Sequence, residues 1–142
     1  MEVYPDFYAA LLFTRLMGPT VLNATVMQTP TPEPESPLRA YAHCGRTGGV
    51  AILMMNLDKE AAVEVTISVP HIDSAMYELY RLQPGPGGEA SHQVRLNGAV
   101  LQLEEGAIPQ MPSHLVPAGT LELGPLDIVF AVVSGVDAEA CK

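Results

Sequence analysis

Tryptophan is absent from these 142 residues, and aromatic residues of every kind make up only 6% of them. Modules that bind sugars on their own stack pyranose rings on exposed aromatic faces, and indole is the best such platform. Of the five tyrosines and three phenylalanines, Tyr4, Phe7, Tyr8 and Phe13 crowd the opening segment, leaving Tyr41, Tyr77, Tyr80 and Phe130 for the rest. A free-standing lectin-like role is therefore poorly supplied. Basic residues are scarce as well: Arg15, Arg39, Arg46, Lys59, Arg81, Arg95 and Lys142 stand against sixteen acidic residues, a formal net charge of −9. Scattered in this way they form no basic stripe, and the overall charge repels phosphate backbones, so nucleic acid is excluded as a partner. An anionic polysaccharide would be repelled too. Any acidic sugar has to be met by surface that this chain does not contain.

No apolar run approaches the roughly 20 residues of a membrane span, so no transmembrane segment is expected. The first 22 residues make a poor signal peptide. Tyr4, Pro5 and Asp6 sit where a basic region should be, and Arg15 interrupts the apolar stretch, so any secretory signal is expected upstream. Catalytic signatures are missing: there is no G-x-G-x-x-G, no phosphate-binding loop and no G-x-S-x-G, and "PGPGGEA" reads as a turn. His43, His71, His92 and His114 lack metal-ligand spacing, so neither a metal nor a cofactor is expected. Retaining glycosidases need two carboxylates about 5–5.5 Å apart across a sugar. Glu104 and Glu105 are adjacent at a strand end, so their side chains point to opposite faces, and Glu33 and Glu35 lie in a Pro-rich loop. His43 beside Cys44 suggests an activated thiol, but neighbours on a strand face opposite ways, and a bridged cysteine is no nucleophile.

What is present is a core. Apolar residues make up 48% and charged residues 16% of the chain, which is one domain's length. Pro5 suits a first helical position and Asp6 complements the helix dipole. Tyr8, Leu11, Leu12 and Leu16 then fall on one helical face, Phe13 and Met17 widen it, and Gly18-Pro19 reads as the stop. This helix wants burial against something broad.

Past Pro19 the period changes to two. Strands are predicted over 21–28, over 38–44 and over 50–57, the last a nearly continuous apolar run that reads as central and buried on both faces. "TPTPEPESP" between the first two is a solvated loop. In "AVEVTISVP", Val63, Val65, Ile67 and Val69 point inward. Further strands are predicted over 76–83, on either side of Asn97-Gly98 (the strongest short hairpin signal), near 120–123 and over 126–133, with a Pro-rich excursion over 108–117. The expectation is a mainly β fold, an antiparallel β-sandwich of about seven or eight strands preceded by one α-helix. The chain divides into the helix, 1–19, and the sandwich, 20–142. Cys44 and Cys141 could be two buried thiols or a pair; a bridge between them closes nearly a hundred residues, which the chain-entropy treatment values at about 4–5 kcal/mol. The sequon Asn23-Ala24-Thr25 points to a secretory compartment, with Asn23 as the glycosylation candidate.

"YPDFYAALLFTRLMGPTVL", "LRAYAHC", "VAILMMNLDKEAAVEV", "VRLNGAVLQL" and the terminal "VDAEAC", in this order, resemble heparanase-like proteins of glycoside hydrolase family 79, most closely the plant-type branch. The resemblance covers essentially the whole chain and departs from the family in loops, chiefly "TPTPEPESP" and "GRTGG". It implies that the lone helix is the last one of a (β/α)₈ barrel and that the remainder is the C-terminal β-sandwich. The family's acid/base and nucleophile glutamates lie upstream of the segment matching Tyr4, so no catalytic residue carries over. The cysteines do, and the resemblance implies a Cys44–Cys141 disulfide. It further implies two partners from the parent enzyme, its catalytic barrel and a sandwich strand from near its N-terminus, and carbohydrate contact only through that parent. The implied location is secreted or lysosomal/vacuolar, including peripheral attachment to a membrane. Two functions follow: a non-catalytic portion of a retaining β-glucuronidase that supports barrel folding, stability and secretion, or a free-standing sandwich that binds glycans or a partner protein.

Overall fold

The computed structural model describes residues 5–27, 36–70, 76–136 and 138–142. Helix α1 spans Pro5–Leu16, and the strands are β1 (Met17–Leu22), β2 (Leu38–Gly45), β3 (Val50–Asn56), β4 (Val63–Thr66), β5 (Met76–Pro84), β6 (Val94–Leu96), β7 (Ala99–Val100), β8 (His114–Pro117), β9 (Thr120–Leu123) and β10 (Ile128–Val133). Eight of them form one antiparallel sheet in the order β1-β2-β3-β10-β5-β6-β7, with β8 alongside β5; β4 and β9 form a second, two-stranded sheet. The mainly antiparallel β architecture with a leading helix is the expected one.

The apolar run at 50–56 becomes a central strand for the reason its composition implies. It pairs with β2 on one side and β10 on the other, so both of its faces need cover. On one face, Ala51, Phe130 and Val132 pack under Tyr8 and Leu12 of the helix and Met17 of β1. On the other, Val50, Ile52, Met54, Val129, Ala131 and Val133 pack under Leu121 and Leu123 of the small sheet, with Val63, Val65, Ile67 and Val69 half-buried beside them. The pleat allows this because successive side chains leave a strand on opposite sides.

Four local readings of the sequence are corrected. The helix ends at Leu16 and the chain enters β1 at once. Gly18 is required by crowding instead of a left-handed cap: a Cβ there would lie 2.5 Å from the Cys44 carbonyl oxygen. Pro19 is tolerated because β1 is an edge strand whose register slips between Met17 and Val21. Second, β1 stops at Leu22, and the described residues that follow it, 23–27, are not strand. Third, the 108–117 excursion contains a strand: β8 pairs with β5, Met76 opposite Pro117 and Leu79 opposite His114. Fourth, the helical stripe is spent largely inside this chain, on the first core, instead of being left for a neighbour. With the short pieces counted, the described residues hold ten strands, against the seven or eight expected.

Two substitutions test this packing. Phe130 is fully buried at the centre of the sheet, and Phe130→Ala should cost about 3–5 kcal/mol, read from the urea midpoint at constant slope. Gly18→Ala should also destabilise the fold, because its methyl group meets fixed backbone.

Candidate functional site

Among the described residues, the face of β1–β3 opposite the helix is only partly roofed. Between it and β4 runs a groove of about 620 Å³. Ala40, Ala42, Ile52 and Met54 form its floor, residues 22–27 one wall, and 64–70 the other, with Val136 and Ala138 across one end. The described lining residues include no aromatic ring, histidine or basic side chain; Glu64 and Glu139 are its acids. Such a lining has nothing to stack a sugar on and no base–nucleophile pair. What it does offer is an apolar floor beside a strand edge, since among the described residues β4 pairs with β9 alone. An extended segment satisfies both features at once, through backbone hydrogen bonds to the edge and side chains to the floor.

The cysteines meet at one end of this groove. Their sulfurs lie 2.07 Å apart and their Cα atoms 5.5 Å apart. Cys44 closes β2 and Cys141 sits in the final turn, Glu139–Cys141. His43 points to the other side of the sheet, as strand alternation requires. Its Nδ1 donates to the Gly18 carbonyl at 2.6 Å, and its ring meets Phe13 edge-on at 5.5 Å. Imidazole and sulfur are thus separated by the sheet, and the histidine fastens helix to strand.

The other residues singled out in the sequence do not converge. Asn23 is exposed, at the groove wall. Glu104 and Glu105 occupy an exposed turn in which Glu104 bridges Ala107 and Glu105 and Gly106 take positive φ. His92 and His114 are exposed and apart. Glu33, Glu35, His71 and Tyr4 lie outside the described residues. Among the described residues, no three His, Cys, Asp or Glu side chains come together as metal ligands.

A buried polar joint escaped the sequence reading. Asn56 and Asp127 are each 1% exposed, at the meeting of the β3–β4 and β9–β10 connections. The Asn56 amide donates to the carbonyls of Ala61, Leu123 and Gly124, and its oxygen accepts from the Asp58 N–H. Asp127 accepts from Arg81 Nη1 at 2.7 Å and from the Gly124 N–H at 2.7 Å. These bonds tie the small sheet to the large one and so set the groove's width. Asp58, at the tip, has its carboxyl held below the ordinary range by the N–H groups of Ala61 and Glu60. "NLD" and "PLD" were the available signals, but their partners lie about seventy positions apart in the chain.

Among the described residues, fold and groove define an antiparallel β-sandwich whose second layer is the β4–β9 pair. No protein-family model matches the chain. Individual proteins do, over nearly all of it. It is 33% identical over 134 residues to baicalin-β-D-glucuronidase of Scutellaria baicalensis, an alignment covering 92% of this chain and 24% of that protein. It is 32% identical over 153 residues to inactive heparanase-2 of Homo sapiens (97% and 26%), and 32% identical over 151 residues to heparanase of Mus musculus (99% and 27%). Over nearly its whole length the chain is similar to heparanase and heparanase-like proteins of glycoside hydrolase family 79. It spans about a quarter of the length of these relatives.

The polar joint generates two expectations. Arg81→Ala removes the charge partner of a buried carboxylate and should cost about 2–3 kcal/mol in urea unfolding, with Arg81→Lys recovering part of it. The depressed Asp58 value means that its contribution is complete above the ordinary carboxylate value of 3.8 and is lost as pH falls through the lower folded-state value. Asp58→Asn should therefore flatten that acid limb of the Tm–pH curve; an unchanged limb would remove Asp58 from the account.

Proposed function

We propose that this chain is the C-terminal, non-catalytic portion of a heparanase-like glycosidase, and that it supports the folding, stability and secretion of the parent's catalytic barrel. The observation that carries this reading is the half-roofed sheet. A groove with an apolar floor lies beside a β4 edge that pairs with β9 alone among the described residues, a geometry suited to one more strand from the same polypeptide. The strand that the heparanase-like resemblance implies, from near the parent's N-terminus, is the segment we assign to it. On the other side of the molecule, Phe7 and Phe13 flank the helix's buried stripe, each 40% exposed, and leave apolar helix surface open. That surface suits packing against a barrel.

In this reading the parent hydrolyses β-glucuronides with retention, and both glutamates that do so lie outside this chain. Carbohydrate is met only through the parent. The Cys44–Cys141 bridge and an Asn23 glycan accord with a secreted or lysosomal/vacuolar protein. A second reading, a free-standing sandwich that captures a protein segment, rests on the same groove. The groove favours a segment over a glycan, because its lining lacks aromatic rings.

The purified 142-residue chain should release no aryl alcohol from an aryl β-glucuronide above the buffer rate, at protein concentrations far above those needed for a working glycosidase. Multiple turnovers that follow the chain through purification would overturn the proposal.

A further inference from the structure

The turn between β6 and β7 consists of Asn97 and Gly98, whose φ values are 48° and 90°. Two-residue hairpin loops of the favoured hand take positive φ at both positions, which is why Asn-Gly serves there. The asparagine does more than turn the chain. β6 and β8 lie along the same edge of β5, across from β10; β6 is paired as far as Leu82 and β8 as far as Leu79. Asn97 fills the interval between them. Its N–H donates to the Arg81 carbonyl at 2.8 Å, and its Oδ1 accepts from the Arg81 N–H at 2.9 Å. Its Nδ2 donates to the Leu79 carbonyl at 3.1 Å and to the Pro112 carbonyl at 3.2 Å. One side chain thus fastens the hairpin to β5 and to the segment that leads into β8.

We infer that Asn97-Gly98 is a self-modification site: the Asn97 amide deamidates through the Gly98 nitrogen, the native hydrogen bonds restrain that reaction, and its product cannot rebuild the fastening. Reactivity comes from Gly98, which is exposed and has no Cβ to shield its peptide nitrogen from the preceding side chain. That nitrogen gives its proton to solvent and attacks Asn97 Cγ. The new C–N bond closes a succinimide ring, the Cγ–Nδ2 bond breaks, and Nδ2 leaves as ammonia with a proton from water. A second water opens the ring at either carbonyl, leaving aspartate or isoaspartate; nothing is oxidised or reduced. Restraint comes from the partners of Oδ1 and Nδ2 on β5 and at Pro112, from which the side chain has to turn away to bring Cγ onto the Gly98 nitrogen. The product differs because a carboxylate only accepts. It keeps the Arg81 N–H but sets a negative charge against the Leu79 and Pro112 carbonyl oxygens. Isoaspartate also adds a methylene to the main chain of a two-residue turn. Conversion is therefore one-way and loosens this edge of the sheet.

Incubation of the purified chain at neutral pH, folded in buffer and unfolded in urea, tests this. Conversion is read by mass spectrometry of the peptide containing Asn97 and by an isoaspartyl methyltransferase assay. The unfolded chain should convert at Asn97, and the folded chain should do so about tenfold or more slowly, as a reaction gated by local opening requires. Urea below the unfolding transition should raise the folded-state rate in step with amide hydrogen exchange at Arg81 and Asn97. The Asn97→Asp variant, a copy of one product, should unfold at lower urea than the parent chain with an unchanged slope. An unfolded chain that stays unconverted would remove the site, and folded and unfolded rates within about twofold of each other would remove the restraint. An Asn97→Asp midpoint equal to that of the parent chain would show that the product rebuilds the fastening, and would overturn the one-way step.

Discussion

A sheet whose central strands are apolar on both sides has to be covered twice, and the rest of this molecule follows from that. β3 and β10 alternate Ala51, Phe130 and Val132 toward one face with Val50, Ile52, Val129, Ala131 and Val133 toward the other. At about 25 cal/mol per Å² of apolar surface removed from water, neither face can be left to solvent. The chain answers with a twelve-residue helix on one side and two four-residue strands on the other. Among the described residues, both covers are small for the sheet they sit on. Exposed Phe7 and Phe13 at the helix and the groove beside β4 are two consequences of one shortfall.

What cover there is must be held at a fixed height. Asn56 and Asp127 do this with directional bonds to carbonyls and N–H groups of both connections, and Arg81 neutralises the one buried carboxylate. Buried polar groups that are fully partnered specify geometry in a way that apolar packing alone does not. At the opposite end of the groove the tail and its disulfide serve the same purpose.

The parts of this plan that depend on short-range pattern were legible in the sequence. Alternation placed Val63 and Val65 inward, the continuous run at 50–56 marked a two-faced central strand, and Asn97-Gly98 forms the hairpin turn with both residues at positive φ, 48° and 90°. Long-range features were not. β8 was hidden because its proline-bounded segment reads as loop until β5 supplies an edge for it. Gly18-Pro19 mimics a helix stop, whereas the glycine answers to the Cys44 carbonyl, 26 residues away in sequence. The Asn56–Asp127 joint shows locally only as "NLD" and "PLD", which do not reveal that the two connections meet. The groove was foreshadowed only by the partner strand that family resemblance implies; its apolar floor and its wall of C-terminal tail came from the three-dimensional arrangement.

If the further cover for helix and groove belongs to the same polypeptide, the protein in its source is much larger than this chain. An antibody raised against the "TPTPEPESP" segment, used on a reducing gel of source tissue, tests it most directly. The expected result is a band several times the 15.1 kDa of this chain, as its span of about a quarter of its relatives implies. A single band near 15.1 kDa would contradict the account, because the helix face and the groove would then have to be filled by another molecule.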